Sequence, residues 1–217
     1  MNRLDHLVIA ATTLEEGIDY VRSTLGADIP VGGVHQTMGT HNHLMQLGNE
    51  SYLEVIAIDP DGRIPNRPRW FDLDQRLMRE SLRRQPRIIT WVMNTTNIQR
   101  TKEQAEFSIG TVTELSRNDL RWKIALTEDG RLLANGLLPY VIQWQSQPHP
   151  SNAMADLGCR LLELNIYHNR PDWLKAMLAS IDAEDLVTVF DLPDSEAPYL
   201  SASIETPNGI KIVDGRD

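Results

Sequence analysis

A strand, a helix and three further strands follow one another three times along this chain, with starts about 70–85 residues apart. That recurrence constrains the fold more than any single residue does. The first pass is the clearest. "LDHLVIAA" is rich in aliphatic and β-branched residues and predicts a strand. "TTLEEGIDYVRSTLG" predicts a helix, with Thr13 and Glu16 as a capping box, Gly26 at its end, and Leu14, Ile18, Val21 and Leu25 as its apolar stripe. Strand-like pieces then fall around 32–38, 42–47 and 51–58, punctuated by Gly32, Gly33, Gly39, Gly48 and Asn49. The second pass runs through "RIITWVMN" and a helix "TTNIQRTKEQAEFSIG" to three strands within 111–146. The third runs from "CRLLELNIYH" and the helix "PDWLKAMLASID" to "DLVTVFDL", "PYLSASIET" and "NGIKIVD". The expectation is an α+β chain, one domain over 1–217, built of β-α-β-β-β modules at about 1–58, 87–146 and 159–217. A Pro/Arg-rich connection, 59–86, is expected to be a loop and a short helix.

Composition narrows the function classes. A net charge of −9 opposes a broad electrostatic hold on phosphate backbones, so no nucleic-acid partner is expected. A local exception is the run Arg63, Arg67, Arg69, Arg76, Arg79, Arg83, Arg84 and Arg87, which is either a solvated face or a site for an anionic ligand or partner. No segment nears the roughly 18 uninterrupted apolar residues of a membrane span. The opening "MNRLDHLVIAATTLEEG" has too short an apolar core for a secretory leader. The single cysteine, Cys159, fits a reducing compartment and reads as a buried small hydrophobe. A cytoplasmic protein is expected.

Polar groups inside apolar strands carry the chemistry. Side chains alternate faces along a strand, so His6 shares a face with Val8 and Ala10, and Glu54 with Tyr52, Ile56 and Ile58. An ionised Glu54 in that run costs several kcal/mol unless it is paired, hydrogen-bonded or metal-bound. An imidazole and a carboxylate on neighbouring strands suit a divalent metal, and they equally suit a plain hydrogen-bonded pair. His35, His41 and His43 fall within nine positions. His41 and His43 alternate onto one face, where they either offer two imidazoles to one ligand or border the turn at Gly39. His149 and His168 read as structural. No nucleophile elbow, phosphate-binding glycine loop, CxxC or HExxH occurs, so hydrolase and nucleotide-dependent chemistry lack their usual carriers.

The opening β-α-β-β-β unit resembles the vicinal oxygen chelate superfamily, which includes glyoxalase I and extradiol dioxygenases. More narrowly, "GGVHQTMGTHNHLMQLGNESYLEVIAI" is similar to bacterial glyoxalase-like domain proteins, through Gly32-Gly33-Val34-His35, Gly39-Thr40-His41-Asn42 and Tyr52-Leu53-Glu54. "ITWVMNTTNI" and "LPYVIQWQSQPHPS" match that group's second half. The resemblance implies curved mixed sheets whose paired modules enclose a cavity. It also implies a divalent metal (Fe, Mn, Zn, Ni or Co) held from the first and last strands of each module. His6 and Glu54 stand at the first module's two positions. Thr90 stands at the third position, and Gln143 or Trp144 at the fourth, which departs from the pattern; His35 is the candidate replacement ligand.

The function this implies is a metal-dependent isomerase, lyase or dioxygenase acting on a small carbonyl- or hydroxyl-bearing molecule. Glu54 or His35 would move the proton, with Thr40, Asn42, His43, Thr90, Gln143 and Trp144 facing the substrate. Trp91, Trp122 and Trp144 are candidates for an apolar wall. The alternative is metal-free sequestration of a small molecule, as in the bleomycin-resistance type; a scaffold with a vestigial cavity is a third reading. A homodimer is compatible with modules that pair across chains, and three units in one chain are compatible with a cavity completed alone.

Overall fold

Local signals place the first unit where the sequence pattern puts it. In the computed structural model, which describes residues 2–216, it comprises β1 (Arg3–Ala10), α1 (Leu14–Leu25), β2 (Val31–His35), β3 (Thr40–Gly48) and β4 (Ser51–Ile58). Thr13 Oγ1 accepts from Glu16 N, and Gly26 takes the left-handed conformation (φ 70°) that closes α1 onto Arg22 O. The connection holds α2 (Arg76–Leu82). The second unit is β5 (Arg87–Asn94), α3 (Ile98–Gln104), β6 (Thr111–Arg117), β7 (Leu120–Leu126) and β8 (Tyr140–Trp144). The third is β9 (Arg160–His168), α4 (Pro171–Ala179), β10 (Thr188–Asp191), β11 (Tyr199–Thr206) and β12 (Gly209–Asp214). The helix expected over 95–110 is shorter. It ends at Gln104 because the following Phe107 and Ile109 turn into the core instead of continuing the helical face.

The first two units share one sheet, ordered β2-β3-β4-β1-β5-β8-β7-β6. β1 pairs in parallel with β4 and antiparallel with β5, and β5 pairs in parallel with β8. Leu7 lies opposite Trp91, at the centre of an approximate twofold relation between the units. The sheet curls into a half-barrel, the vicinal oxygen chelate fold in an α+β chain, and this chain forms it without a second copy. Two irregularities interrupt the β1–β5 ladder. One is a bulge at Asp5, the extra residue between the pairs Leu4–Met93 and His6–Val92.

The third unit keeps the element order but not the connectivity. Its sheet runs β10-β9-β11-β12, with β9 beside β10 and β11. In the first unit the opening strand lies beside the closing one. Hydrophobic alternation dictates which face of a strand is buried, not which neighbour it takes, so repeated grammar yields two different sheets. This second sheet covers the outer face of the half-barrel. Leu164, Ile166, Ala202 and Ile204 share a core with Leu7, Ile9, Leu53, Trp91 and Val21 of α1. Each buried leucine, isoleucine or valine among them contributes about 1.5–3 kcal/mol.

The inner face is closed at one end by the 59–86 connection, whose Trp70, Phe71, Leu73 and Leu82 pack against Val8, Ala10, Ile56 and Tyr140. Its arginines tie it down. Arg69 pairs with Asp74 and donates to Gly39 O, Arg67 donates to Thr127 O, and Arg79 pairs with Asp74. Among the described residues no helix is long and apolar enough to cross a membrane.

Candidate functional site

The open end of the half-barrel holds a cavity of about 280 Å³. His6 of β1, Asn42 of β3, and Tyr52 and Glu54 of β4 point into it because strand alternation and register bring them to the inner face. His6 and Glu54 are each only 5% exposed. His6 Nε2 lies 3.5 Å from Glu54 Oε2. Asn42 Nδ2 donates to Glu54 Oε1 at 2.6 Å, and Asn42 Oδ1 accepts from Gly33 N at 2.9 Å. The His6 ring stacks on Tyr52 with centroids 4.4 Å apart, and burial, Asp5 and Glu54 push the Tyr52 phenol well above its ordinary range.

Behind His6 sits Asp5, fully buried. In a regular strand, consecutive residues face opposite sides; the bulge brings the Asp5 carboxylate to the His6 imidazole. Its Oδ1 accepts from His6 Nδ1 at 2.7 Å. Its Oδ2 accepts from Trp144 Nε1 at 2.8 Å and from His149 Nε2 at 3.0 Å. Burial alone would push the carboxyl up, but the hydrogen bonds from His149 and His6 outweigh it and bring Asp5 to about 2. Asp5 is therefore ionised at neutral pH, and both histidines direct an N–H at it. His149 Nδ1 then accepts from Ser151. His6 is left with Nε2 facing the cavity and Glu54.

A second polar group closes the seam between β2 and β6. His35 is pushed down to about 4 by burial, against an opposing pull from Glu54, so its ring is neutral at pH 7. Its Nδ1 is 3.1 Å from Thr40 Oγ1. Its Nε2 meets two donors, Asn42 Nδ2 and Arg117 Nη1, each at 3.5 Å. The paired glycines of β2 create the space. A Cβ on Gly32 would lie 2.4 Å from Asn42 Oδ1, and one on Gly33 would lie 3.1 Å from Arg117 Nη1.

Of the residues singled out in the sequence, His6, His35, Asn42, Glu54, Trp122 and Trp144 line the cavity. Thr40 lies one layer behind His35. His43 faces away, with Nδ1 on Ile29 O, because alternation along β3 gives the inner face to Asn42 and Leu44. Gln143 also faces outward, where its Oε1 accepts from Ile98 N at the start of α3. Trp91 belongs to the outer core and donates to Leu137 O. Thr90 is buried on the inner face, and its hydroxyl reaches only Trp91 O. His168 accepts from Arg170 N beside α4. Asp5, His149, Arg117 and Trp70 join the site without a sequence signal that marks them for it. The first is turned by a bulge, and the others come from loops or a remote edge strand.

The twofold relation identifies the second unit's counterparts. Aligning β1 with β5 end to end puts Thr90 in the place of His6. Val8 pairs with Glu54 and Val92 with Tyr140, so Tyr140, not Gln143 or Trp144, occupies the place of Glu54. Tyr140 is committed elsewhere, donating to Arg131 O at 2.8 Å, and burial raises it to about 12.

This donor set does not fit a resident divalent metal. Two of the four chelate positions hold Thr90 and Tyr140. His35 Nε2 cannot replace them, since it faces a guanidinium and an amide N–H where a cation would have to sit. Among the described residues no group of three histidine, cysteine, aspartate or glutamate side chains converges on a metal-sized site.

Comparisons with known proteins agree with the architecture. A family model described as "Glyoxalase-like domain" matches residues 4–181. No curated protein matches the chain. A hypothetical protein from Staphylococcus aureus superposes with a TM-score of 0.55 at 15% identity, covering 93% of this chain and 81% of its own. Methylmalonyl-CoA epimerase from Mycobacterium tuberculosis gives a TM-score of 0.41 at 17% identity, covering 67% and 89%. A Streptomyces coelicolor methylmalonyl-CoA epimerase bound to 2-nitronate-propionyl-CoA gives 0.42 at 15% identity, covering 67% and 98%.

Proposed function

The chain belongs to the glyoxalase-like domain family, and from that premise we propose that it catalyses metal-independent proton transfer on a small carbonyl-bearing molecule. The observation that carries this reading is the Asp5–His6 dyad facing Glu54 across 3.5 Å inside the cavity. Asp5 holds the proton on His6 Nδ1, which leaves Nε2 as the base, and it stabilises the imidazolium that forms. His6 Nε2 removes a proton from the carbon next to the substrate carbonyl, and the C–H electron pair moves to the carbonyl oxygen as an enolate. The imidazolium, or Glu54 beside it on the same wall, returns that proton to the neighbouring carbon of the enediolate or to the same carbon from the same side. Such a step is an isomerisation or a proton exchange and requires no oxidant. Trp122, Trp144, Ile124 and Ile142 exclude water from the reacting centre.

The test is α-proton exchange followed by ¹H NMR in D₂O across small 2-oxo and 2-hydroxy carbonyl compounds. Wild-type protein is expected to exchange at least one of them, with the rate unchanged by chelator. His6→Gln is expected to lose about 10²–10⁴-fold of that rate. About one equivalent of a divalent metal in untagged protein, lost in Glu54→Ala, with chelator-sensitive exchange, would replace this reading with a chelate mechanism. The apolar walls favour a second reading, ligand sequestration. Ligand-induced stabilisation with no exchange of any bound compound would select it.

A further inference from the structure

Arg117 is the arginine that lines this cavity. Arg69, Arg76 and Arg79 each face a carboxylate. Arg117 has no ion-pair partner among the described residues, although it is half-buried and lines the cavity. Its Nη1 is spent on two neutral acceptors, His35 Nε2 and Asn42 Oδ1, at 3.5 Å each. Its Nε and Nη2 make no hydrogen bond among the described residues. A guanidinium that lacks a counter-charge while its Nε–Nη2 edge is free is a fork that matches a planar carboxylate.

We propose that Arg117 anchors a carboxylate on the ligand, so that the cavity takes small carboxylic acids with the acidic carbon toward His6. Charge supplies the orientation. The Asp5 and Glu54 carboxylates lie at the β1–β4 wall, and Arg117 lies at the β2–β6 seam. An anionic group is therefore drawn to the seam, and the uncharged carbonyl end is left beside His6. Gly33 belongs to the same device, since a Cβ there would lie 3.1 Å from Arg117 Nη1 and press the guanidinium back by a few tenths of an ångström. The proposal deepens the proton-transfer reading and rests on it for the position of the reacting carbon.

The experiment titrates wild-type protein with 2-oxobutyrate, its methyl ester and inorganic phosphate by isothermal calorimetry. It repeats the titrations on Arg117→Gln, Arg117→Lys and Gly33→Ala. The acid is expected to bind, with affinity falling about 10–100-fold in Arg117→Gln. The lysine variant should recover part of it. Gly33→Ala, which keeps the arginine but would put a Cβ 3.1 Å from its Nη1, is expected to weaken the acid and leave the methyl ester unchanged. No binding of the acid by wild-type protein, equal binding of acid and ester, or phosphate binding more tightly than the acid overturns the proposal. The two readings separate cleanly. Arg117-dependent binding without α-proton exchange keeps the anchor and removes the catalysis, whereas exchange indifferent to Arg117 does the reverse.

Discussion

The two halves of the half-barrel are built alike and equipped differently. In the first unit, the inner face of β1 and β4 offers His6 and Glu54. In the second, the matching places hold Thr90 and Tyr140, one a buried hydroxyl and the other a hydrogen bond to the backbone. Folding requires both units to bury an outer face and to meet along β1 and β5; it does not require both to carry donors. The imidazole and carboxylate of the cavity come from one half, and the other supplies Arg117 at the seam and Trp122, Ile124, Ile142 and Trp144 as wall. Trp144 does cross the divide, donating to Asp5 and so bracing the first unit's dyad from the second.

Asp5→Leu should strike this comparison hardest. It removes one carboxylate and leaves N–H groups of His6, His149 and Trp144 buried without an acceptor, which is expected to cost about 3–5 kcal/mol of stability. Urea unfolding measures it. A loss below about 1 kcal/mol would mean that the bulge is not a structural hub.

Acid comes next. His35 has a folded pKa of about 4 against about 6.5 unfolded. The unfolded chain therefore takes up the proton first as pH falls. The stability is complete above about 6.5 and declines as pH drops toward 4, by up to about 3 kcal/mol. Asp5, held at about 2 against about 3.9 unfolded, contributes its own loss only below about pH 4. His35→Asn should flatten the stability profile between pH 6.5 and 4. A profile as steep as that of the wild type would place the acid sensitivity elsewhere.

Tyr140→Phe is the smallest effect. The equivalent of Glu54 in the second unit should lose about 1 kcal/mol from its hydrogen bond to Arg131 O, with proton exchange unchanged. A fall in exchange beyond about tenfold would show that the second unit takes part in the chemistry.

The sequence discloses the site unevenly, for physical reasons. Glu54 and His6 are legible because a polar group in an apolar strand demands a partner. The capped α1 and the glycine punctuation mark out the first unit to within about three residues at each strand end. Asp5 is hidden because strand alternation assigns it to the face opposite His6, and only the mismatch between β1 and β5 turns it back. Arg117 and His149 are hidden because they reach the site from 82 and 144 residues away, across contacts with no local signature. The third unit shows the limit of repeat reading: its pattern recurs, but β9 takes a different neighbour.

β2 and β6 are the two ends of the eight-stranded order, and no backbone ladder joins them. The half-barrel is thus a ring with a clasp. Between every other neighbouring pair the circumference is set by amide hydrogen bonds at fixed spacing, so a change in size means a change in strand count. At the clasp the sheet edges are bridged by a side chain instead, Arg117 Nη1 reaching His35 Nε2 and Asn42 Oδ1 at 3.5 Å each. Substitutions at 33 and 117 therefore act on this seam without altering a single strand. The seam is a side-chain feature, separable from the architecture that carries it.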